Sequence, residues 1–509
     1  MPSFRYILAL LLLTVLTRLP AIFHTKAIDD ERYYAVVAIE MLEGGLPYRD
    51  AIERKPPLLF WTYQFLLSFG ERYHWYGLHM AAVIWTLLSM TGLFFLGKRL
   101  FGTEAGMAAA LLYSIFQSWA YWRNLAFNGE MMMNLPVIWG AWLVFRQSRQ
   151  VLPPNLFLGG ILFCLAFLLK QPAAIAAVPF GIYLLLPIRY RKLGAGFGTA
   201  FFQAGIYSLG FFSVLLAVIL ILKKQGILEE ALYWTIGDHD VPHGPLDPVF
   251  WIRGSKMALA FTGACLPLVI GSWLALKDFR TKKLGLWQGK QAEFIAWLLL
   301  LFVSVIGTSV AGRFYAHYFI QLVPVLCLLA APVLAGIWTG QFQFKSWWLR
   351  PHFTKIWLGL TVIVFFISHT YGLVKDRPNS EIGVYLRQQA DEGERIFVWG
   401  QSPSVYLDTR CRPASRYIAT FPLTGFLFGS PYAWDPSYDT SDRIVPGAWG
   451  NLMSDLQRHA PRFIVDTDAV RPAERYRIVD FPRLDSLVRS EYEFLHRTKN
   501  GVVYRRKGK

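Results

Sequence analysis

Two groups of charged residues border apolar segments where charge is costly. Asp29-Asp30-Glu31-Arg32-Tyr33-Tyr34 lies just beyond the first apolar segment, and Lys55-Pro56-Pro57 closes the loop that follows. Carboxylates and a lysine at a membrane surface read as a site rather than a scaffold. Carboxylates can take up a proton in a reaction, and fixed cations can hold charge that builds on an oxygen. Glu130 opens a later apolar run. Arg313, His317 and Gln321 follow at i, i+4 and i+8, which on an α-helix is one face, and in lipid that face must turn to the protein interior or an aqueous cavity. Each group also has a local reading. Asp30 is a possible N-cap, Glu31 and Glu130 are first-turn acids favoured by a helix dipole, and Lys55 and Arg313 can reach headgroups while His317 bonds a neighbouring helix.

The elements that must position these residues are mostly membrane helices. The chain has 509 residues, 54% of them hydrophobic, with positive mean hydropathy. Apolar runs fall near 6–23, 78–97, 105–121, 131–145, 156–170, 172–187, 198–222, 249–276, 294–311, 317–338 and 356–374, which gives about eleven spans. The pair flanking Lys170-Gln171-Pro172 can also be read as one re-entrant hairpin. The net charge of +17 sits in short linkers that alternate with acidic or mixed ones, as the positive-inside rule requires, so nucleic acid is not an expected partner. With Arg5 on the inner flank of the first run, the N-terminus is expected in the cytoplasm, and Glu43, Ser441 and the C-terminal region outside. The first run has no small-residue cleavage site and reads as an anchor.

In the first loop, Tyr33, Tyr34, Val37, Ala38 and Met41 recur at helical spacing opposite Glu40 and Glu43, and Gly44-Gly45 with Pro47 end the pattern. An amphipathic helix lying in the interface is expected. Residues 1–374 are expected to form the membrane domain. Residues 375–509 are expected to form a small extracytoplasmic α/β domain, with strand-like pieces at Arg395–Trp399 and Arg462–Val465 and a helical one at Glu381–Gln389. Cys164, Cys265 and Cys327 lie in apolar runs and Cys411 in the polar tail, so no disulfide framework or Cys-based metal site is read.

The order of acidic pair, Arg-Tyr, amphipathic helix, Gly-Gly and Lys-Pro-Pro-Leu resembles the first extracytoplasmic loop of the GT-C glycosyltransferases. Within that superfamily it is most similar to the branch of aminoarabinose transferases and protein O-mannosyltransferases. Phe127-Asn128-Gly129-Glu130 resembles the superfamily's second acidic site, and Gly312 to Pro324 resembles a stretch of its bacterial members. The resemblance implies a polytopic, mostly α membrane protein of the bacterial plasma membrane that passes a sugar from a polyprenyl-phosphate donor to a lipid, glycan or protein acceptor, usually with inversion. It implies a catalytic set of Asp30, Glu31 and Glu130, with Asp30 as base, and a donor-phosphate set of Lys55, Arg313 and His317.

One departure matters. In the aminoarabinose transferases an acidic residue directly precedes Lys-Pro-Pro, whereas here Arg54 stands there and Glu53 is one residue earlier. No metal ligands are assigned and no cofactor is required; a divalent metal stays open. Asp238, His239, Asp240, His243 and Asp247 have a metal-like spacing in a loop rich in Gly and Pro. Gly194 to Gly198 follows no strand and leads into a span, so it is not a dinucleotide loop. A transporter and a non-catalytic assembly or binding subunit are the rival classes. A transporter's charges belong near the midplane between repeated halves, and a binding subunit would tolerate loss of Asp30.

Overall fold

A computed structural model describes residues 4–508 other than 25, 70–71, 74, 120, 146–152, 193, 238–244, 311, 343–349, 376–379, 427–438 and 471–475. The possible metal-binding residues from Asp238 to His243 lie outside the described residues. Helices follow in the order α1 (Phe4–Ile22), α2 (Glu31–Leu42), α3 (Pro57–Leu67), α4 (Tyr76–Phe101), α5 (Thr103–Phe116), α6 (Gly129–Phe145), α7 (Pro153–Leu169), α8 (Val178–Leu185), α9 (Pro187–Lys192) and α10 (Phe197–Lys224). They continue as α11 (Leu228–Ile236), α12 (Pro248–Ala264), α13 (Leu266–Thr281), α14 (Gln291–Ser309), α15 (Val323–Trp338) and α16 (Pro351–Lys375). Short 3₁₀ segments at Gln171–Ala177 and Ala316–Leu322 lead into α8 and α15.

The chain divides into two compact units. One holds residues 1–28, 78–221 and 242–376; the other holds 29–77, 222–241 and 377–509. In the first unit each apolar run of the sequence carries a helix among the described residues. Among the described residues five helical stretches are long and apolar enough to cross a membrane, and α12 with α13 adds a sixth if the pair is one span. Shorter apolar helices include α5, α7 and the stretch Gln171–Leu185. The run at 249–276, read as one span, is instead a pair bent by 91° at Cys265. Pro267 in the first turn of α13 has no N–H to continue the ladder from α12, so a bend there is cheap. The core of the stretch 316–338 is wholly buried. On α10, Phe201, Leu209, Phe212, Leu216 and Leu220 are exposed, as a lipid-facing helix requires.

The second unit carries a five-stranded sheet of β1 (Arg395–Trp399), β2 (Arg412–Pro413), β3 (Phe463–Asp466), β4 (Tyr492–Thr498) and β5 (Gly501–Arg506), ordered β2-β1-β3-β5-β4. β1 runs parallel to β2 and β3, and β5 is antiparallel to β3 and β4. Ile396, Phe397, Val398, Phe463, Ile464 and Val465 are buried, the near-continuous apolar pattern of central parallel strands. Around the sheet lie α17 (Glu381–Arg387), α18 (Ser404–Thr409), α19 (Phe421–Thr424), α20 (Ala448–His459) and α21 (Pro482–Glu491).

Candidate functional site

Each unit gathers some of the residues singled out in the sequence. In the second unit, Asp30 occupies the N-cap position of α2, yet its side chain makes no capping bond. Its Oδ2 instead accepts a hydrogen bond from the Tyr34 hydroxyl at 3.2 Å. The Lys55 ammonium lies 5.9 Å from the centre of the same Tyr34 ring, within cation–π range, so one tyrosine contacts both groups. Tyr34 is held edge-on by Tyr63 at 5.5 Å and Phe60 at 6.4 Å, both on α3. Pro57 opens α3 where a missing N–H costs nothing, which brings Lys55 to its start. Burial pushes the Tyr63 phenol up, and the charges of Glu31 and Asp30 add to that. Asp30 is half-buried, while Glu31 is 0% exposed and turned into the protein. Glu53 pairs with Lys55 at 3.9 Å and accepts the Lys55 N–H at 2.8 Å, and Arg54 lies over the Phe421 ring.

The other end of α2 is anchored by charge. Gly45 N–H bonds Glu40 O and Gly44 N–H bonds Met41 O, with Gly44 at φ +87°, which is the Schellman ending. A Cβ at Gly45 would stand 2.9 Å from Glu40 Cγ, so a larger residue would disturb the acid. Glu40 is 2% exposed and receives Arg395 Nη2 at 2.7 Å and Arg412 Nη2 at 2.7 Å. The polar side of this helix is therefore only partly open: Glu40, two residues from its end, is buried against two arginines of the sheet, while Glu43 just beyond the helix is exposed.

In the first unit, Glu130 sits in the first turn of α6, whose N-terminus is capped by Asn128 Oδ1 accepting the Met131 N–H at 3.0 Å. Its Oε1 lies 2.6 Å from Lys170 Nζ and 3.9 Å from His317 Nε2, and Glu130 is 1% exposed. Lys170 holds an extended backbone at the break between α7 and the 3₁₀ segment, which releases its side chain sideways, and its ammonium lies 4.9 Å from the centre of the Tyr318 ring. Two prolines shape this region, and each frees a carbonyl four residues earlier. Pro136 frees Met132 O, which takes the Trp85 indole N–H at 2.9 Å; Pro324 frees Ile320 O from its α-helical partner, and Asn134 Nδ2 donates to it at 3.2 Å.

Arg313, His317 and Gln321 are all buried, but not as a stripe on one α-helical face. Gly312 and Phe314 both have positive φ, so Arg313 lies in an irregular turn, and residues 316–322 form a 3₁₀ helix. With three residues per turn, His317 and Gln321 point about a third of a turn apart. Gln321 pairs at i−3 instead, donating to Tyr318 O at 3.0 Å.

Residues 54–216 match the family described as dolichyl-phosphate-mannose-protein mannosyltransferase. Among solved structures, ArnT of Cupriavidus metallidurans, determined bound to undecaprenyl phosphate, is similar over 99% of this chain and 98% of its own, with TM-score 0.59 and 12% identity. The fold is that of a GT-C glycosyltransferase. The oligosaccharyltransferase of Archaeoglobus fulgidus shares this GT-C fold over 99% of this chain and 74% of its own, with TM-score 0.55 and 12% identity. A further structure of the archaeal enzyme AglB, in complex with an inhibitory peptide and a dolichol-phosphate, gives TM-score 0.51 at 12% identity. No curated protein sequence matches. A GT-C fold makes the chain a multi-pass membrane protein, in keeping with its apolar helices.

Of the residues expected to act together, Asp30, Glu31 and Lys55 meet around Tyr34 and Tyr63, and Glu130 meets His317. Sequence reasoning passed over Lys170 as the partner of Glu130, and over Arg18. Arg18 lies inside the first apolar run, is 0% exposed, and donates to Leu125 O and, at 3.5 Å each, to Thr86 Oγ1 and Gln117 Oε1. Its signal was available: Thr14, Thr17 and Arg18 stand at i, i+3 and i+4, a polar face in an apolar helix. Among the described residues no three His, Cys, Asp or Glu side chains are placed to hold a metal.

Proposed function

We propose that the protein is a glycosyltransferase that moves a sugar from a polyprenyl-phosphate carrier to a lipid, glycan or protein acceptor outside the cytoplasm, with inversion. The observation that carries this reading is the Asp30 carboxylate, which is not used for helix capping and shares Tyr34 with the Lys55 ammonium. An acceptor hydroxyl is a poor nucleophile, and a half-exposed carboxylate can orient it and take its proton as the glycosidic bond breaks. Negative charge then builds on the departing lipid phosphate, where a fixed cation is worth most. Lys55 serves there in this reading, with Arg313 and His317 as the further phosphate-binding residues. Glu31, being fully buried, positions the loop through Tyr63 rather than meeting substrate. Glu130 with Lys170 forms the second acidic site.

Asp30→Asn should keep expression and thermal stability yet lose most transfer from a polyprenyl-phosphate sugar, followed by mass spectrometry of the acceptor. Asp29→Asn is the control and should lose less. Near-normal turnover in purified Asp30→Asn would remove the base. Lys55→Ala and Arg313→Ala should each weaken product inhibition by polyprenyl phosphate, and unchanged inhibition would take both off the leaving group.

The proposed setting is the bacterial inner membrane, with the N-terminus in the cytoplasm, the membrane domain within residues 1–374 and residues 375–509 outside. Impermeant thiol labelling in intact cells should modify Glu43→Cys and Ser441→Cys but not Lys282→Cys; the opposite pattern would invert the orientation.

A further inference from the structure

Two adjoining cavities in the second unit, of about 240 and 390 Å³, share Arg49, Asp50, Arg416 and Arg458 as walls. Together they fall in the range of roughly 300–1,000 Å³ in which proteins enclose small ligands. The smaller is a basic chamber, lined by those three arginines together with Arg395, Arg412 and His459. Its acids are already engaged. Glu40 receives Arg395 and Arg412, Glu43 receives Arg72 and Arg412, Asp455 receives Arg416 at 2.8 Å, and Asp50 accepts the Leu46 N–H at 2.7 Å. Arg49 is taken up by Glu230 at 2.5 Å. Arg458, at the end of α20, is exposed and pairs with no acid among the described residues. Three of the chamber's four carboxylates are therefore paired with arginines, Asp50 is tied to a backbone N–H, and one guanidinium is left without an acid, an arrangement that suits an anion.

The larger chamber has a different lining: Tyr48, Tyr233, Trp234 and Tyr417, with Asn451 at its edge. Tyr233 and Trp234 meet edge-on at 5.1 Å, and Asn451 Nδ2 donates to the Tyr417 hydroxyl at 3.4 Å. Flat amphipathic rings beside amide and hydroxyl groups suit a ligand with an apolar C–H face and a rim of hydroxyls. A bare anion would gain nothing from the faces of these rings, which are electron-rich. A neutral sugar's hydroxyls could accept from Arg458 but would forgo the charge-assisted strength that an anionic group gains there.

We propose that this double cavity binds an acidic saccharide, with its ring in the aromatic chamber and its carboxylate or phosphate on Arg458 and the neighbouring arginines. If the transferase reading holds, this saccharide belongs to the acceptor, but binding itself does not rest on that reading. Titration calorimetry of the full chain in detergent would compare glucuronic acid, glucose 1-phosphate, glucose and inorganic phosphate. At least one of the two acidic sugars should bind about tenfold more tightly than both glucose and phosphate. Arg458→Gln should weaken that binding about tenfold, the scale of one charge-assisted hydrogen bond. Tyr233→Ala should weaken the acidic sugar but leave phosphate unchanged, and both variants should keep the parent's thermal midpoint. The separation of the acidic sugars from glucose should narrow as salt rises.

Phosphate or glucose binding as tightly as the tighter of the two acidic sugars, or indifference to Arg458→Gln and Tyr233→Ala, would each overturn the proposal. Binding without any sugar transfer would leave this site standing and remove the transferase, whereas transfer without such binding would do the reverse.

Discussion

Glu130→Gln should destabilise the protein strongly, and a second change should repair the stability without repairing the chemistry. The Glu130 and Lys170 charges are 2.6 Å apart with side chains 1% and 8% exposed. At an effective dielectric near 20 their attraction is about 6 kcal/mol, offset by several kcal/mol for taking each ion out of water. The intact pair therefore adds little net stability. Removing one member leaves the other buried and uncompensated, a loss of about 3–5 kcal/mol. After Glu130→Gln the ammonium retains the Tyr318 ring, a contact of about 1–2 kcal/mol at best, so the loss should fall toward the lower end of that range. Lys170→Met should also destabilise, because the buried Glu130 carboxylate loses the ammonium that lay 2.6 Å away. In the double variant both charges are gone and an apolar side chain replaces the stem, so most stability should return. Thermal survival in detergent, scored by the monodisperse fraction after heating, reads the stability part, and sugar transfer at low temperature reads the rest. If the single variants survive heating like the parent, the pair is not buried as described. If the double variant transfers sugar at the parent's rate, Glu130 has no part in the chemistry.

Glu40→Gln should lower stability by about 3 kcal/mol, because two guanidinium groups lose their shared counter-charge while keeping some contact with water; heating assays should show the loss, and an unchanged midpoint would refute the double pairing. Glu43 behaves differently. The hydrogen bond from Arg72 holds its carboxyl below the usual range, so its contribution is fully present above about pH 4.5 and is lost as pH falls through the lowered value. With both side chains partly exposed the effect is under about 1 kcal/mol, and the small gap between parent and Glu43→Gln should close in acid unfolding curves below pH 4.5 rather than widen.

The apolar runs were legible because a membrane helix needs length and hydropathy, both of which a window can sum. Breaks were less legible: a single Pro267 hardly changes an average, yet it removes the hydrogen bond on which a straight 249–276 span would depend. The Arg313 to Gln321 spacing failed for a related reason, since the α-helical period was applied to residues that the turns at Gly312 and Phe314 and the downstream Pro324 hold in a tighter helix. Asp30, Lys55 and Glu130 were found because a charge beside an apolar run is visible locally. Their partners were not. Periodicity shows which residues share a face of α2 but not what covers it, and the arginines that cover Glu40 come from strands more than 350 residues later. The strands at Arg395 and Phe463 were read from their apolar runs, whereas the hairpin of β4 and β5 was missed although Asn500-Gly501 marks its turn, where Lys499 and Asn500 link Thr498 to its partner Gly501.

Helix α2 joins the carboxylate proposed to accept a proton to the acid that docks on the sheet. Asp30 and Glu40 stand ten positions apart, which at 1.5 Å per residue makes the helix a ruler of about 15 Å. Its length is quantised. One residue added or deleted between Tyr34 and Glu40 would turn one end against the other by about 100°, so that either Glu40 leaves its arginines or Asp30 and Tyr34 together turn away from Lys55. The loop around α2 can therefore drift in side-chain chemistry more freely than in residue count, and a one-residue insertion between Tyr34 and Glu40 should do more harm than most substitutions on the same turn.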